Sequence, residues 1–156
     1  MAKTADQWFA EYGESHQNKI NKTIHWIAVP TIFLTVMGFL WSIPTPALFD
    51  QWPLLNWATL SLLVIIGFYL RISLTLTIGM TLFTVATLAI IHWFEGTGIA
   101  PVWLASLVLF VIMWIFQFIG HAIEGKKPSF FKDLQFLMIG PAWLMGFIYR
   151  RLGIPY

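Results

Sequence analysis

The sequence predicts an all-α membrane protein: a polytopic helical bundle of four transmembrane helices, with an N-terminal interfacial helix and a short C-terminal re-entrant or interfacial segment. Three observations carry this expectation. Apolar residues make up 58% of the 156-residue chain and charged residues only 10%, with a mean hydropathy of +0.75, whereas a soluble domain carries about a quarter charged residues. Long charge-free stretches recur along the chain, and a span needs about 20 mainly apolar residues. Finally, when the N-terminus is placed inside and four spans alternate, all 9 Lys and Arg residues fall on one side, as the positive-inside rule requires.

The elements follow in order. Residues 1–25 are polar, with Trp8, Phe9 and Tyr12 on one face of a short helix and Asp6, Glu11 and Glu14 mostly off it. Such a helix is expected to lie on the membrane surface. The polar stretch Ser15–Lys22 is expected to bend the chain. Four charge-free stretches, Trp26–Phe49, Gln51–Leu70, Ile72–Ile91 and Gly96–Gly120, supply spans over about 26–43, 53–70, 72–92 and 101–121. A fifth, 134–149, is short and contains Gly140-Pro141. It reads as a half-membrane hairpin or interfacial segment, since Arg150-Arg151 would break the charge rule if it crossed. The whole chain, 1–156, makes a single membrane domain.

Lys3, Lys19, Lys22, Arg71, Lys126, Lys127, Lys132, Arg150 and Arg151 mark the inner side, and Asp50 and Glu95 the outer, where Trp52, Trp57, Trp93 and Trp103 cluster. Both termini are therefore expected in the cytoplasm, at a bacterial inner membrane or, in a eukaryote, the endoplasmic reticulum. The sequence pI near 9.1 then reflects topology and lipid contact rather than nucleic-acid binding. The chain has no cysteine, which excludes disulfides, thiolate metal sites and thiol catalysis. The opening residues lack the basic-then-apolar run of a cleaved leader. No internal repeat supports an inverted-repeat transporter, and no acidic residue lies mid-span to carry protons or ions.

Ionisable groups near membrane depth mark functional sites. Of the 4 histidines, His16, His25 and His121 fall at the cytoplasmic interface, while His92 lands on the opposite side, about 30 Å away along a helix of that length. His16 and His25 are nine residues apart and converge only if the chain bends between them. Asn21 precedes His25 by one turn, and Pro30 follows it. Gln117, His121 and Glu124 share one face of the fourth span, with Trp114 a turn earlier and Gly120 leaving room for a neighbour. Gly125 and Pro128 are expected to end that helix. His16, His25 and His121, with Asn18, Asn21, Gln117 and Glu124, thus form a candidate pocket. Neutral imidazoles beside a carboxylate suit Fe(II) and also zinc. Each also has a plain reading: a histidine at a helix end makes a hydrogen bond, Gln117 bonds across helices, and Glu124 pairs with Lys126 and Lys127 at the surface.

Two segments carry a family resemblance: Y-G-E-S-H-Q-N-K-I-N-K-T-I-H-W-I-A-V-P, Tyr12–Pro30, and Q-F-I-G-H-A-I-E-G-K-K-P-S, Gln117–Ser129. Together they resemble the membrane 2-hydroxy fatty acid dioxygenases, which include the fungal enzyme of phytosphingosine α-oxidation and bacterial relatives. The resemblance implies an Fe(II)-dependent enzyme that shortens a 2-hydroxy fatty acid by one carbon with O₂ at the cytoplasmic face of the lipid membrane. It assigns iron and catalysis to His16, His25 and His121. Glu124 is a fourth candidate ligand, one residue closer to the preceding histidine than in the fungal form, with orientation of His121 as its alternative role. Lys19 stands where the family often has proline. Asn18, Asn21, Gln117, Lys126 and Lys127 are candidates for substrate or supporting contacts. The other classes open to the same residues are a zinc-dependent membrane lipid hydrolase and a non-catalytic lipid-binding protein.

Overall fold

The computed structural model describes residues 3–125 and 136–156, so Lys126, Lys127, Pro128 and Lys132 lie outside the described residues. The described residues form six α-helices and no strand. They are α1 (Ala5–Gly13), α2 (Lys19–Trp41), α3 (Trp57–Leu70), α4 (Leu74–Thr97), α5 (Val102–Glu124) and α6 (Ile139–Leu152), with a 3₁₀ turn at Ala47–Gln51.

Three of these, α2, α4 and α5, are long and apolar enough to cross a membrane. Their outward faces are greasy: Leu82 is 66% and Leu63 on α3 68% exposed, a surface that suits lipid and not water. Buried hydroxyls are satisfied within their own helices, Thr35, Thr84 and Thr87 each donating to a carbonyl three or four residues back.

Boundaries follow local chemistry. Asn18 caps α2, its side chain accepting from the Ile20 N–H at 2.8 Å. The helix therefore starts seven residues before the expected span, and the bend falls at Glu14–Asn18 rather than across the whole polar stretch. Asn56 and Thr59 form a capping box that starts α3. This delays the helix past Trp52 and Leu55 and leaves it 14 residues, about 21 Å, short of a full hydrocarbon thickness. Ser73 caps α4 after a tight turn in which the Ile72 and Ser73 N–H groups both bond to the Tyr69 carbonyl at 2.9 Å. Gly125, at φ 72°, ends α5 in the left-handed conformation glycine accepts without strain. The Gly140-Pro141 pair does not break α6. Pro141 sits in its first turn, where a missing N–H costs nothing.

One expectation is corrected. The aromatic face of α1 is not laid on lipid: Phe9 and Tyr12 are buried against α6 and the residues after it, Tyr12 at 5.2 Å from Trp143 of α6 and Phe9 at 5.6 Å from Tyr156, beyond the helix end, between ring centroids. Two aromatic helices at one end of the bundle cover each other before either covers membrane.

α2 is central and runs antiparallel to α5 along their shared length. Glycines set the approach at both ends of this pair. A Cβ at Gly38 would collide with the Ser106 hydroxyl, and one at Gly120 with the Asn21 amide oxygen. α6 returns along α4, where Tyr149 donates to the Thr75 carbonyl at 2.9 Å, while Tyr69 at the end of α3 donates to the Met138 carbonyl. The start of α2, the end of α5, the α3–α4 turn, α1 and α6 thus share one end of the bundle. Lys3, Lys19, Lys22, Arg71, Arg150 and Arg151 collect there. The other end carries Asp50 and Glu95, the latter accepting from the Trp41 indole at 3.1 Å.

Candidate metal centre

Three separate segments each bring one histidine to the basic end of the bundle. His16 sits in the short connection after α1, held by its N–H on the Gly13 carbonyl at 3.0 Å. Its Nδ1 donates to the Tyr12 carbonyl at 2.6 Å, and its ring stacks on Tyr12 at 4.3 Å and 14°. His25 lies on α2 with Nδ1 donating to the Asn21 carbonyl at 2.9 Å. His121 lies in the last turn of α5. All three are nearly inaccessible, at 2%, 1% and 4% exposure.

The rings converge. Centroids are 4.1 Å apart for His16–His25, 5.5 Å for His16–His121 and 5.4 Å for His25–His121. Each histidine offers a ring nitrogen, and these all lie within 4.8 Å of one another, a grouping that can hold a metal ion. For His16 and His25 the backbone carbonyl fixes the proton on Nδ1, which leaves the Nε2 lone pair as the donor. His16 Nε2 is buried with no hydrogen-bond partner among the described residues. A buried acceptor left so is costly in a purely structural cluster, and it is satisfied at once by a cation. The residues present therefore fit a three-imidazole metal site.

Burial also sets the protonation state. Removal from water pushes the His16 pKa down from 6.5 to about 4, against the opposing pull of the Tyr12 carbonyl. His16 is then neutral, as a ligand must be, across the physiological range. Because the folded value lies below the unfolded one, the unfolded chain binds more protons between pH 6.5 and about 4. The metal-free protein is expected to keep a constant melting temperature above pH 6.5 and to lose stability as pH falls towards 4. Thermal melts in detergent across that range check this.

Glu124, one turn beyond His121, faces the connection that carries His16. Its Oε1 accepts from the Gln17 N–H at 2.8 Å, and its Oε2 from the Asn18 N–H at 2.9 Å and the Asn21 amide at 3.0 Å. Asn21 is fully buried and also donates to the Ser15 carbonyl at 3.1 Å. One carboxylate thereby ties the end of α5 to the bend before α2.

A family model described as 2-hydroxy-palmitic acid dioxygenase Mpo1-like matches residues 2–152. The chain belongs to that family. No curated protein and no solved structure matches it significantly.

Within this Mpo1-like chain, the structure brings His16, His25 and His121 together. Glu124 lies outside the cluster of ring nitrogens, with its oxygens turned to the connection. Asn18 caps α2 and donates to Glu124, while Asn21 supports both His25 and the connection. Gln117 is buried one turn before His121, and its Oε1 has no hydrogen-bond partner among the described residues. His92 is exposed at the opposite end, 5.9 Å from the Trp41 ring. Lys126 and Lys127 fall outside the described residues.

Sequence reasoning missed the supports of His16. Tyr12 was visible at helical spacing, four residues before it. Trp143, 5.5 Å from the His16 ring, left no signal, since only tertiary packing of α6 puts it there. Gly120 is the contact that lets α2 and α5 close around the histidines. Gly120→Val is expected to overpack this contact at a cost of about 1–3 kcal/mol. A lower thermal midpoint together with weaker metal retention would report it.

Proposed function

We propose that His16, His25 and His121 hold Fe(II), and that the protein is a membrane dioxygenase shortening 2-hydroxy fatty acids by one carbon with O₂. The observation that carries this reading is the convergence of three buried imidazoles, with His16 Nε2 otherwise unsatisfied. The family description supplies the substrate class. Bound there, Fe(II) supplies one-electron chemistry toward O₂ and Lewis acidity toward oxygen ligands.

The chain's own groups do the rest. Backbone carbonyls of Tyr12 and Asn21 hold the imidazoles in the donor tautomer. The Gln117 amide oxygen, buried one turn before His121, accepts a hydrogen bond from the substrate's 2-hydroxyl. Lys19 and Lys22 lie at the start of α2 and draw the carboxylate of an amphiphile to the interface; Lys126 and Lys127 are assigned the same role. Lipid and protein together exclude water from the triad.

In this reading the protein is a single integral membrane domain. The triad and both termini lie on the cytoplasmic side, following the one-sided distribution of Lys and Arg. α3 and the 3₁₀ turn before it together complete the second crossing, and α6 is the returning limb of a re-entrant segment. Three imidazoles also suit zinc and a hydrolytic water, so the deciding experiment is oxygen uptake by the purified protein. Consumption of O₂ with a 2-hydroxy fatty acid, and not with its unhydroxylated or 3-hydroxy counterpart, is the expected result. Conversion of lipid without O₂ would establish the hydrolase instead.

A further inference from the structure

At the basic end of the bundle, α2, α4 and α6 enclose an outward-facing groove that none of the histidines lines. Its walls are Trp26 and Pro30 of α2, Phe83 of α4, and Pro141, Leu144, Met145 and Ile148 of α6. It holds about 90 Å³ of free room, where one water needs about 10–15 Å³. Its rim is open, with Trp26 42% and Ile148 41% exposed. Walls so apolar offer water almost no hydrogen-bond partner, so the filling that suits them in a membrane is hydrocarbon.

α6 runs against α2 here. Gly140, near its start, sits so close to Val29 that an added Cβ would lie 3.1 Å from that side chain. Phe147, two turns on, meets the Trp26 ring at 6.1 Å. The last turn of α6 therefore comes to the end where α2 begins. A cation stands there on each helix. Lys22 precedes Trp26 by one turn on the same face of α2, and Arg151 follows Ile148 by three residues on the groove side of α6. Neither pairs with a carboxylate among the described residues. The Trp26 indole N–H has no hydrogen-bond partner among them. From the mouth inward the order is thus two cations, an indole donor about 6 Å deeper along α2, and an apolar groove.

We propose that this groove binds one anionic glycerophospholipid of the surrounding bilayer. Its phosphate sits between Lys22 and Arg151, an ester carbonyl accepts from the Trp26 indole, and the first methylenes of one chain fill the groove. The open rim leaves the second chain in the bilayer. A free fatty acid has a charged head and a tail but no ester oxygen for the indole, and a zwitterionic head group cancels the charge that the two cations attract. The bound lipid ties α6 to α2, and α6 carries Trp143 against His16. The proposal depends on the chain lying in a membrane and not on the chemistry of the triad.

The test is lipid retention by the full chain in mild detergent, read by native mass spectrometry with phosphatidylglycerol, phosphatidylcholine and oleic acid as probes. Wild type is expected to retain about one phosphatidylglycerol per chain, in preference to phosphatidylcholine, with or without bound metal. An interfacial cation strengthens binding of an anionic head about fivefold, so Lys22→Gln/Arg151→Gln is expected to weaken phosphatidylglycerol about tenfold or more and to erase the preference. Trp26→Phe removes the donor and keeps the ring, and is expected to weaken phosphatidylglycerol but not oleic acid. Ile148→Trp fills the groove from its exposed rim while keeping both charges, and is expected to lose the lipid. Equal retention of phosphatidylglycerol and phosphatidylcholine by wild type, or an unchanged preference in the double variant, would overturn the proposal. Oleic acid held as firmly as phosphatidylglycerol, with Trp26→Phe affecting neither, would make the groove a fatty-acid site and overturn it equally.

Discussion

His25→Ala is expected to lower O₂-dependent turnover to below about a thousandth of wild type, the scale seen when one member of a unit that acts together is removed. His25 is the most enclosed of the three histidines, at 1% exposure, and it touches both others, with ring centroids at 4.1 Å and 5.4 Å. Its loss leaves two imidazoles, one on the connection after α1 and one on α5. The helix itself should survive, because Asn18 still caps it and alanine is a better helix former than histidine. Membrane insertion and detergent monodispersity should therefore match wild type. His92→Ala is the matched control. His92 is exposed at the far end, and its replacement is expected to leave turnover within about twofold, as surface changes away from special features do. Equal activity in His25→Ala and His92→Ala would remove the site from this account.

Glu124→Ala and Glu124→Gln are expected to separate two roles for this carboxylate. It accepts three hydrogen bonds, two from backbone N–H groups and one from Asn21, and hydrogen bonds to an ionised acceptor are the strong ones. Alanine strands the Gln17 and Asn18 N–H groups and frees the connection that presents His16. Metal affinity should then fall about 10–100-fold, as when an outer support of a ligand is lost. Glutamine keeps one acceptor oxygen but turns an NH₂ group toward donors, so it should fall between the two. Were Glu124 itself a ligand, glutamine would be nearly as damaging as alanine, and both would resemble His25→Ala. Titration of the reduced protein with Fe(II) under anaerobic conditions distinguishes the patterns.

The sequence carried the helical class because it rests on a strong, local signal. Uninterrupted apolar stretches name α2, α4 and α5. The one-sided Lys and Arg placed His16, His25 and His121 at one end and His92 at the other, where the structure also has them. Lengths were harder to read. Hydropathy places the start of a helix where apolar residues begin, but Asn18 and Asn56 cap helices by hydrogen bonding. α2 therefore extends back through polar Lys19–His25, and α3 starts late and falls short of a span. The face of α1 was legible as aromatic, yet nothing local told lipid from protein as its partner. α6 is as aromatic as the membrane interface and closer. Glu124 was seen on the His121 face, but a helical wheel cannot show that the carboxylate reaches past His121 to a segment more than a hundred residues earlier.

Elemental analysis of protein purified anaerobically in mild detergent, for wild type and His121→Ala, tests the central claim most directly. The account predicts about one iron per wild-type chain, present as isolated or after Fe(II) reconstitution, and its loss in the variant. Zinc in its place would move the site to hydrolysis. No bound metal even after reconstitution, or equal iron in His121→Ala, would contradict the claim that these three histidines are a metal centre.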